Sequence, residues 1–247
     1  MWKAKLFLRA ALGLLAVGFP ALASAVECRD ISHDGNSYTI CEVDAAREEL
    51  RLFLRDGDGA IYGSFPAVEQ GIGQKLSFGM NAGMYHTDRS PVGLYIEHGR
   101  QERGLITSEG PGNFGLLPNG VFCISEGKAR VIETLRFARQ EPTCRSATQS
   151  GPMLVIDGAL HPRFLPDSTS RYVRNGVGSS ADGTRVVFAI SNNAVTFHQF
   201  GTLFRDVLKT PNALYFDGSI SRLYAPALRR HDAGFPMGPI VGVIAPD

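Results

Sequence analysis

The polar residue best placed for catalysis in this sequence is an aspartate that directly follows an apolar run. In Asn212–Ser221 the residues Ala-Leu-Tyr-Phe lead into Asp217, and Gly218 and Ser219 come next. A strand would hold this carboxylate while the turn leaves it accessible, which suits a general base, a metal ligand or an acceptor for sugar hydroxyls. Since an isolated Asp-Gly pair more often only makes a turn, Asp217 needs partners before catalysis can be inferred.

Three further clusters of polar and small residues stand beside apolar runs, and we predict that they lie at strand ends or turns. They are Asn81–His86, Thr148–Pro152 and Arg171–Gly178. Functional groups collect in such connections, which a rigid scaffold of strands holds in place. We therefore predict that these clusters, although far apart in sequence, converge with Asp217 on one pocket.

The order and spacing of these clusters resemble the phosphodiester glycosidase family, which includes the lysosomal mannose-6-phosphate uncovering enzyme. The similarity runs from about Leu76 to Val243 and is closest to uncharacterised bacterial members that are exported. The matching elements are Asn81–Tyr85, Ser150–Pro152, Arg174–Gly178 with the following Asp182-Gly183, Asn212–Ser221 and Pro239–Val241. The uncovering enzyme's group has Asp-Gly-Gly-Gly-Ser where this chain has Asp217-Gly218-Ser219-Ile220-Ser221, and two Phe where it has Met84-Tyr85.

The resemblance implies a hydrolase that cleaves the anomeric bond of sugar-1-phosphodiesters in envelope or extracellular glycans. A phosphate leaving group needs charge stabilisation more than protonation, and the planar guanidinium of Arg174 would match its oxygens. Asp217 would activate water or stabilise an oxocarbenium-like transition state. The residues expected to bind substrate, or to let the backbone approach it, are Asn81, Gly83, Tyr85, His86, Gln149, Ser150, Gly151, Gly218, Ser219 and Ser221.

Each of these assignments has a plainer alternative. Arg174 could instead form a surface ion pair, and a lone histidine such as His86 is more often a surface or structural group than an acid. No organic cofactor is implied, and a divalent cation at Asp217 is compatible with the chemistry but has no sequence signature. The alternative function is a carbohydrate-binding or envelope-assembly protein that keeps the pocket without turnover.

Composition excludes several other classes of protein. With 44% hydrophobic and 20% charged residues, the chain has the composition of a globular protein rather than a disordered one. Its 25 Lys and Arg residues nearly balance 24 Asp and Glu residues, and no basic run occurs. A nucleic-acid partner is therefore not expected. The expected partner is a glycan or a sugar phosphodiester.

The first 25 residues have the features of an export signal. Lys3, Lys5 and Arg9 precede an apolar stretch that is short for a membrane span, and Ala23-Ser24-Ala25 is typical of a cleavage site. An uncleaved anchor is the alternative. We expect residues 26–247 to form the mature protein, periplasmic or secreted, with no stable membrane insertion after cleavage.

The four cysteines fit an oxidising compartment. Cys28, Cys41, Cys123 and Cys144 permit three pairings, and the sequence alone does not select one. Proximity along the chain favours the pairs Cys28–Cys41 and Cys123–Cys144. No Cys-x-x-Cys or Cys/His cluster occurs, so a zinc site is not expected.

Short strands are predicted to dominate the secondary structure. Ser37–Val43 alternates apolar and polar residues, and Asp56–Gly59 is a typical hairpin turn. The predicted strands are Ser37–Val43, Arg51–Leu54, Ile61–Phe65, Leu76–Met80, Gly93–Glu97, Val121–Ser125, Met153–Ile156 and Arg185–Ile190.

Few helices are predicted. The strongest is Thr196–Leu208, where apolar residues recur every three or four positions after a capping threonine. Weaker ones are expected at Glu133–Arg139 and from Asp44 onward. We therefore predict a single strand-rich α+β domain with a mixed or antiparallel sheet.

The export signal and the cysteines give the first testable prediction. Protein recovered from the periplasm should have lost residues 1–25 and, without reduction, should be lighter by four hydrogens because both cysteine pairs are oxidised. Intact-mass analysis measures both. An N-terminus that retains the first 25 residues would contradict the cleavage, and thiol reactivity of the unfolded, unreduced chain would contradict the disulfides.

Overall fold

Antiparallel strands form most of this protein. The computed structural model describes residue 2 and residues 26–246, so the predicted signal peptide lies outside the described residues apart from Trp2, and its cleavage stays a prediction. The strands are β1 (Glu27–His33), β2 (Asn36–Asp44), β3 (Leu50–Phe53), β4 (Leu76–Asn81), β5 (Tyr95–Glu97), β6 (Arg100–Arg103), β7 (Gly120–Ser125), β8 (Lys128–Glu133), β9 (Ser146–Ser150), β10 (Met153–Ile156), β11 (Ala159–Leu160), β12 (Asn175–Ser179), β13 (Arg185–Ser191), β14 (Asn212–Asp217), β15 (Leu223–Ala225), β16 (Arg230–His231) and β17 (Ile240–Ile244). The helices are α1 (Phe65–Ile72), α2 (Thr134–Gln140) and α3 (Phe197–Thr202), with a π-helical turn at Leu203–Val207 and a 3₁₀ turn at Pro226–Leu228.

Three antiparallel sheets surround one central core. The first has the order β1-β2-β13-β12-β14-β10-β11, the second β16-β15-β4-β17-β3 and the third β6-β5-β9-β7-β8. Alternation along each strand divides its side chains between two layers. In β13, Val186, Phe188 and Ile190 face the central core, whereas Val187 and Ala189 face the outer layer. The predicted α+β class is confirmed.

A helix covers the outer face of each sheet. Phe200 of α3 and Phe204 of the π-helical turn pack on the first sheet, Phe65 of α1 on the second, and Phe137 of α2 on the third. Removing such a phenylalanine side chain from water contributes about 1.5–3 kcal/mol. This cover explains why both faces of the strands are apolar.

Most of the predicted strands are confirmed, with small shifts at their ends. Met153–Ile156 forms β10 with the predicted bounds, and Ser37–Val43 lies within β2. The strand predicted at Gly93–Glu97 is shorter and begins at Tyr95. The remaining strand predictions, apart from Ile61–Phe65, correspond to β3, β4, β7 and β13.

The strand predicted at Ile61–Phe65 is wrong, because α1 begins there. A single bridge between Arg55 and Ile61 is what remains of the predicted hairpin. The side chain of Ser64 accepts a hydrogen bond from the N–H of Ala67, and a proline occupies the first turn. Both are standard signals for a helix start, and they prevail over the apolar run.

The helix predicted from Asp44 is also wrong. β2 continues to Asp44, and the chain then makes a turn in which the carbonyl of Asp44 accepts bonds from the N–H groups of Arg47 and Glu48. The carboxylate of Glu48 bonds back to the N–H of Asp44 at 2.7 Å. This side-chain contact closes a single turn between Asp44 and Glu48, and no helix continues beyond it.

The helices predicted at Glu133–Arg139 and Thr196–Leu208 are confirmed as α2 and as α3 continued by the π-helical turn. Both favoured disulfides, Cys28–Cys41 and Cys123–Cys144, are present. Among the described residues, no helix combines the length and apolar character needed to cross a membrane.

A capping box fixes the start of α3 and gives a second prediction. The hydroxyl of Thr196 accepts the N–H of Gln199, whose side chain accepts the N–H of Thr196, both at 3.1 Å. Thr196→Ala should lower the free energy of unfolding by about 1 kcal/mol, whereas Thr196→Ser should keep most of it. Urea unfolding measures both, and equal losses in the two variants would contradict the cap.

Candidate functional site

A buried pair of asparagine side chains joins the first two sheets. Asn81 ends β4 and Asn175 begins β12, and both are fully buried. Nδ2 of Asn175 donates to Oδ1 of Asn81 at 2.6 Å. The same Oδ1 accepts the N–H of Arg222 at 2.9 Å, and Oδ1 of Asn175 accepts the N–H of Asp217 at 3.1 Å. These two amides therefore fix the backbone at both ends of the Asp217–Arg222 turn.

The carboxylate of Asp217 is held by the backbone of its own turn. Its Oδ1 accepts the N–H of Ser219 at 2.9 Å, and the hydroxyl of Ser221 donates to the carbonyl of Asp217 at 2.7 Å. Burial raises the pKa of Asp217, while the N–H groups of Ser219, Gly218 and Ile220 act in the opposite direction. The result is a half-buried carboxylate with few conformations, as a general base or an electrostatic stabiliser requires.

A bulge in the β12–β14 ladder precedes this carboxylate. Asn175 pairs with Asp217, but Gly176 pairs with Tyr215, so Phe216 is the extra residue. Bulges bend a strand and redirect the side chains beside them. The irregularity thus separates the regular, buried part of β14 from the Asp217–Arg222 turn.

Arg174 lies on one side of the Asp217 turn, enclosed by aromatic rings. Its guanidinium carbon is 3.6 Å from the ring centroid of Phe197, and only 1% of the residue is exposed. Nε donates to the carbonyl of Val195 at 2.9 Å and Nη2 to that of Ser170 at 3.2 Å. The fork predicted to bind phosphate is therefore already engaged at two of its nitrogens.

Tyr215 connects Arg174 electrostatically to Asp217. The guanidinium carbon of Arg174 is 5.5 Å from the centroid of the Tyr215 ring. Burial raises the pKa of Tyr215, the positive charge of Arg174 opposes this shift, and the negative charge of Asp217 adds to it. The predicted pair Arg174 and Asp217 therefore lies against one shared phenol.

Tyr85 is a second phenol whose pKa responds to the charge of Asp217. Its hydroxyl donates to the carbonyl of Pro236 at 3.2 Å. Burial and the charge of Asp217 raise the pKa of Tyr85, and the charges of Arg222 and Arg89 lower it. The charge of Asp217 thus raises the pKa of two phenols, Tyr215 and Tyr85, and the charge of an arginine opposes it at each.

Two glycines make close approaches in this region. A Cβ on Gly218 would lie 2.1 Å from the hydroxyl of Tyr215. Gly83 has φ 130°, and a Cβ there would lie 2.9 Å from Oγ1 of Thr148. Larger residues cannot occupy these positions without displacing their neighbours.

The second and third clusters span strand ends, as predicted: Gly151-Pro152 connects β9 to β10, and Arg171–Arg174 precedes β12. Thr148–Ser150 belongs to β9, and Asn175–Gly178 belongs to β12, where every residue is buried. Small and hydrogen-bonded side chains make this possible. The hydroxyl of Thr148 donates to the carbonyl of Ala82 at 2.7 Å, for example.

Three of the predicted binding residues, Gln149, Ser150 and Gly151, bond to or pack against other parts of the protein. The amide of Gln149, 2% exposed, bonds the backbone of Leu94 and Ile106 on both its oxygen and its nitrogen. Ser150 donates to the carbonyl of Phe216 at 2.9 Å. A Cβ on Gly151 would lie 2.6 Å from Cβ of Asn119. The structure thus places Gln149 against the Leu94 and Ile106 backbone, whereas Ser150 supports the strand that carries Asp217.

The remaining predicted residues lie nearer to solvent. His86 is exposed at a turn closed by its N–H bond to the carbonyl of Ser90 at 2.9 Å. Ser219 is exposed, and Ser221 is partly buried. Within the described part of the chain, no three His, Cys, Asp or Glu side chains are grouped so as to hold a metal ion.

Sequence reasoning did not select two residues of this site. Asn175 follows Arg174 in the cluster Arg171–Gly178, and Arg222 directly follows the motif Asn212–Ser221. Asn175 could have been selected because it is a polar residue directly before the Gly-x-Gly of a predicted turn region, Gly176-Val177-Gly178. Arg222 is charged at the start of an apolar strand, where a charged side chain needs a reason to be buried.

The close approach of Gly218 to Tyr215 gives a third prediction. Gly218→Ala should lower the free energy of unfolding by about 1–3 kcal/mol, because the new methyl overlaps the hydroxyl of Tyr215. Adding Tyr215→Phe to this variant should recover part of the loss. Gly57→Ala is the matched control, since a Cβ there meets nothing within 4 Å. Equal stability of the Gly218 and Gly57 variants in urea would contradict the contact.

The chain is similar in sequence to known proteins. A profile of the phosphodiester glycosidase family matches residues 74–241. The uncharacterized protein YigE of Escherichia coli K12 is 33% identical over 184 residues, covering 74% of this chain and 72% of YigE.

Two solved structures share the fold. The catalytic domain of zebrafish N-acetylglucosamine-1-phosphodiester alpha-N-acetylglucosaminidase, auto-inhibited by its pro-peptide, superposes with a TM-score of 0.63 at 12% identity, covering 92% of this chain and 85% of that one. A Burkholderia pseudomallei K96243 protein with an exported-protein designation gives a TM-score of 0.57 at 11% identity, covering 85% and 74%. By the family profile and the similarity to YigE, the chain belongs to the phosphodiester glycosidase family.

Proposed function

We propose that this protein hydrolyses the glycosidic bond of sugar-1-phosphodiesters in envelope or extracellular glycans. The observation that carries the proposal is the half-buried carboxylate of Asp217, which is held by the backbone of its own turn and whose charge acts on the phenols of Tyr215 and Tyr85. Family membership supplies the class of reaction.

The reaction needs a stabilised cationic sugar and a water nucleophile. Asp217 supplies the negative charge that stabilises an oxocarbenium-like transition state, or it removes a proton from the attacking water. The leaving phosphate is a weak base, so no strong acid is required opposite Asp217. Its negative charge needs a positive partner in a region of low dielectric.

Arg174 contributes that charge at short range without moving. Its ring contact with Phe197 and its bonds to two carbonyls fix the guanidinium in one orientation. A fixed, partly desolvated charge acts more strongly than one that must reorganise. Arg174 therefore serves both as a positive charge near the phosphate and as support for Tyr215.

Sugar binding falls to the side chains that remain accessible. The hydroxyls of Ser219 and Tyr85 and the ring of His86 are the available donors and acceptors, and Gly83 and Gly218 keep the backbone close to the ligand. Asn81, Ser150 and Ser221 act on the shape of the site through the backbone groups they bind.

Two observations support a periplasmic or secreted location. Both disulfides join residues of the mature chain, which favours an oxidising compartment. The Burkholderia protein of the same fold has an exported designation. Substrates would then be glycans of the cell envelope or of the surroundings.

Asp217→Asn is the decisive variant. Turnover of sugar-1-phosphodiesters should fall by about a hundredfold or more, the scale for losing a positioned acid–base group. Folding should survive, because an amide oxygen can still accept the N–H of Ser219.

Since the folded-state pKa of Asp217 is raised, ionising its carboxyl group lowers the stability of the wild type as the pH rises. The stability of the variant relative to the wild type should therefore improve from acid to neutral pH, as thermal unfolding at several pH values will measure.

Asp182→Asn is the matched control, because Asp182 also precedes a glycine in a turn. Bonds from Ser180 and Thr184 lower the pKa of Asp182 to about 2, so its ionised form favours folding and its pH trend should be the opposite. The turnover of Asp182→Asn should be unchanged.

The substrate panel begins with an N-acetylglucosamine-1-phosphodiester, after the name of the zebrafish enzyme. Binding without turnover in the wild type would indicate the carbohydrate-binding alternative, and full turnover by Asp217→Asn would exclude Asp217 as the catalytic carboxylate.

A further inference from the structure

Arg222 is a buried arginine without a hydrogen-bond acceptor. The residue is only 7% exposed. Its N–H bonds Asn81, but within residues 26–246 the structure shows no hydrogen bond from its guanidinium, and Nη2 is both shielded from solvent and without a partner. A buried guanidinium normally bonds a carboxylate or several carbonyls, as Arg174 does. The guanidinium of Arg222 therefore has hydrogen-bond donors that no described residue accepts.

The nearby negative charge does not compensate for this burial. The carboxylate of Asp232 is already bonded to Arg230 through two contacts of 3.0 Å and to the N–H of Leu223 at 2.9 Å. Burial lowers the pKa of Arg222, against the smaller opposing effects of Tyr85 and Asp232. The positive charge of Arg222 is thus partly desolvated and incompletely balanced.

The position of Arg222 connects it to the Asp217 site. It ends the turn that begins with Asp217, and its charge and that of Asp217 both act on the phenol of Tyr85. On another side, the backbone of Gly234 passes over the guanidinium, so that a Cβ there would lie 2.6 Å from Nη2. Gly234 has φ 147°, a conformation that favours glycine. The backbone of Gly234 therefore packs against one side of the guanidinium.

We propose that Arg222 binds the phosphoryl group of the substrate and so makes the site selective for anionic leaving groups. The inference rests on the proposed function and deepens it. An arriving phosphodiester would give the guanidinium the acceptors it lacks and would place a negative charge beside an incompletely balanced positive one. A neutral glycoside would leave Arg222 buried and unpaired, which disfavours its binding.

The test uses inorganic phosphate as the probe and needs no turnover. Wild-type protein, Arg222→Gln, Arg222→Lys and the control Arg205→Gln are titrated with phosphate by calorimetry at low ionic strength. Arg205 is an exposed arginine paired with Asp206 on the π-helical turn. Loss of a charged hydrogen bond predicts an affinity lower by about tenfold or more for Arg222→Gln. Arg222→Lys should be intermediate, because it keeps the charge without the fork, and Arg205→Gln should match the wild type.

Thermal unfolding separates a binding role from a structural one. Without phosphate, Arg222→Gln should be no less stable than the wild type, because it removes an unbalanced buried charge. With phosphate, the wild type and Arg205→Gln should gain stability and Arg222→Gln should not. A variant that is destabilised without phosphate but keeps the full phosphate-dependent gain would assign Arg222 a purely structural role and overturn the proposal.

The outcomes also distinguish this proposal from the proposed function. If the wild type does not bind phosphate, or if Arg222→Gln and Arg222→Lys bind it as well as the wild type does, the role of Arg222 is refuted even where hydrolysis is observed. If phosphate binding depends on Arg222 while no phosphodiester is hydrolysed, the anion site stands and the proposed reaction fails. Should Arg222→Gln not fold, the comparison of Arg222→Lys with Arg205→Gln decides in the same way.

Discussion

The site depends on the hydrogen-bonded pair of Asn81 and Asn175. Each amide serves its partner and one backbone N–H of the Asp217–Arg222 turn. Because the two residues belong to different sheets, the pair also fixes the first sheet against the second at the point where the turn leaves β14. A buried amide left without a partner is costly, so this network favours one relative position of the sheets over its alternatives. The position of the carboxylate is thus set by the packing of the whole domain.

Two arginines, two tyrosines and one aspartate near this pair determine the charge of the site. Arg174, Tyr215, Asp217, Tyr85 and Arg222 are linked in sequence by their effects on one another. Among the described residues, neither guanidinium forms a hydrogen bond or an ion pair with the Asp217 carboxylate, which bonds the N–H of Ser219. An Asp217–arginine ion pair would lower the pKa of the carboxyl and occupy its oxygens. Separation leaves the carboxylate available, at the cost of burying charges that are not neutralised directly.

Sequence reasoning recovered the parts of the fold that local pattern determines. Alternation identified β2 and β13, and helical spacing identified the helix after Thr196, because one side-chain period describes each of them. α1 was missed although Ser64 and Pro66 signalled its start, since the apolar run before it suggested a hairpin. Thr148–Ser150 was predicted at a strand end or turn, and the structure adds that these polar residues are buried in the last part of β9. Their acceptors, such as the carbonyls of Ala82 and Phe216, lie more than sixty positions away and are revealed only by the tertiary structure.

The two arginines show most clearly what residue type alone does not reveal. Arg174 was singled out because its motif matched a family, yet its guanidinium is stacked on Phe197 and bonded to carbonyls. Arg222 was not selected as a site residue from the sequence, yet its Nη2 is buried without a hydrogen-bond partner. Together with Asp217 they leave the site with a net positive charge, which a singly charged phosphodiester would neutralise. A neutral glycoside would leave that charge in place, and a second anion would meet the carboxylate. With the roles proposed for Arg174, Arg222 and Asp217, a ligand with one negative charge would be favoured whatever its sugar.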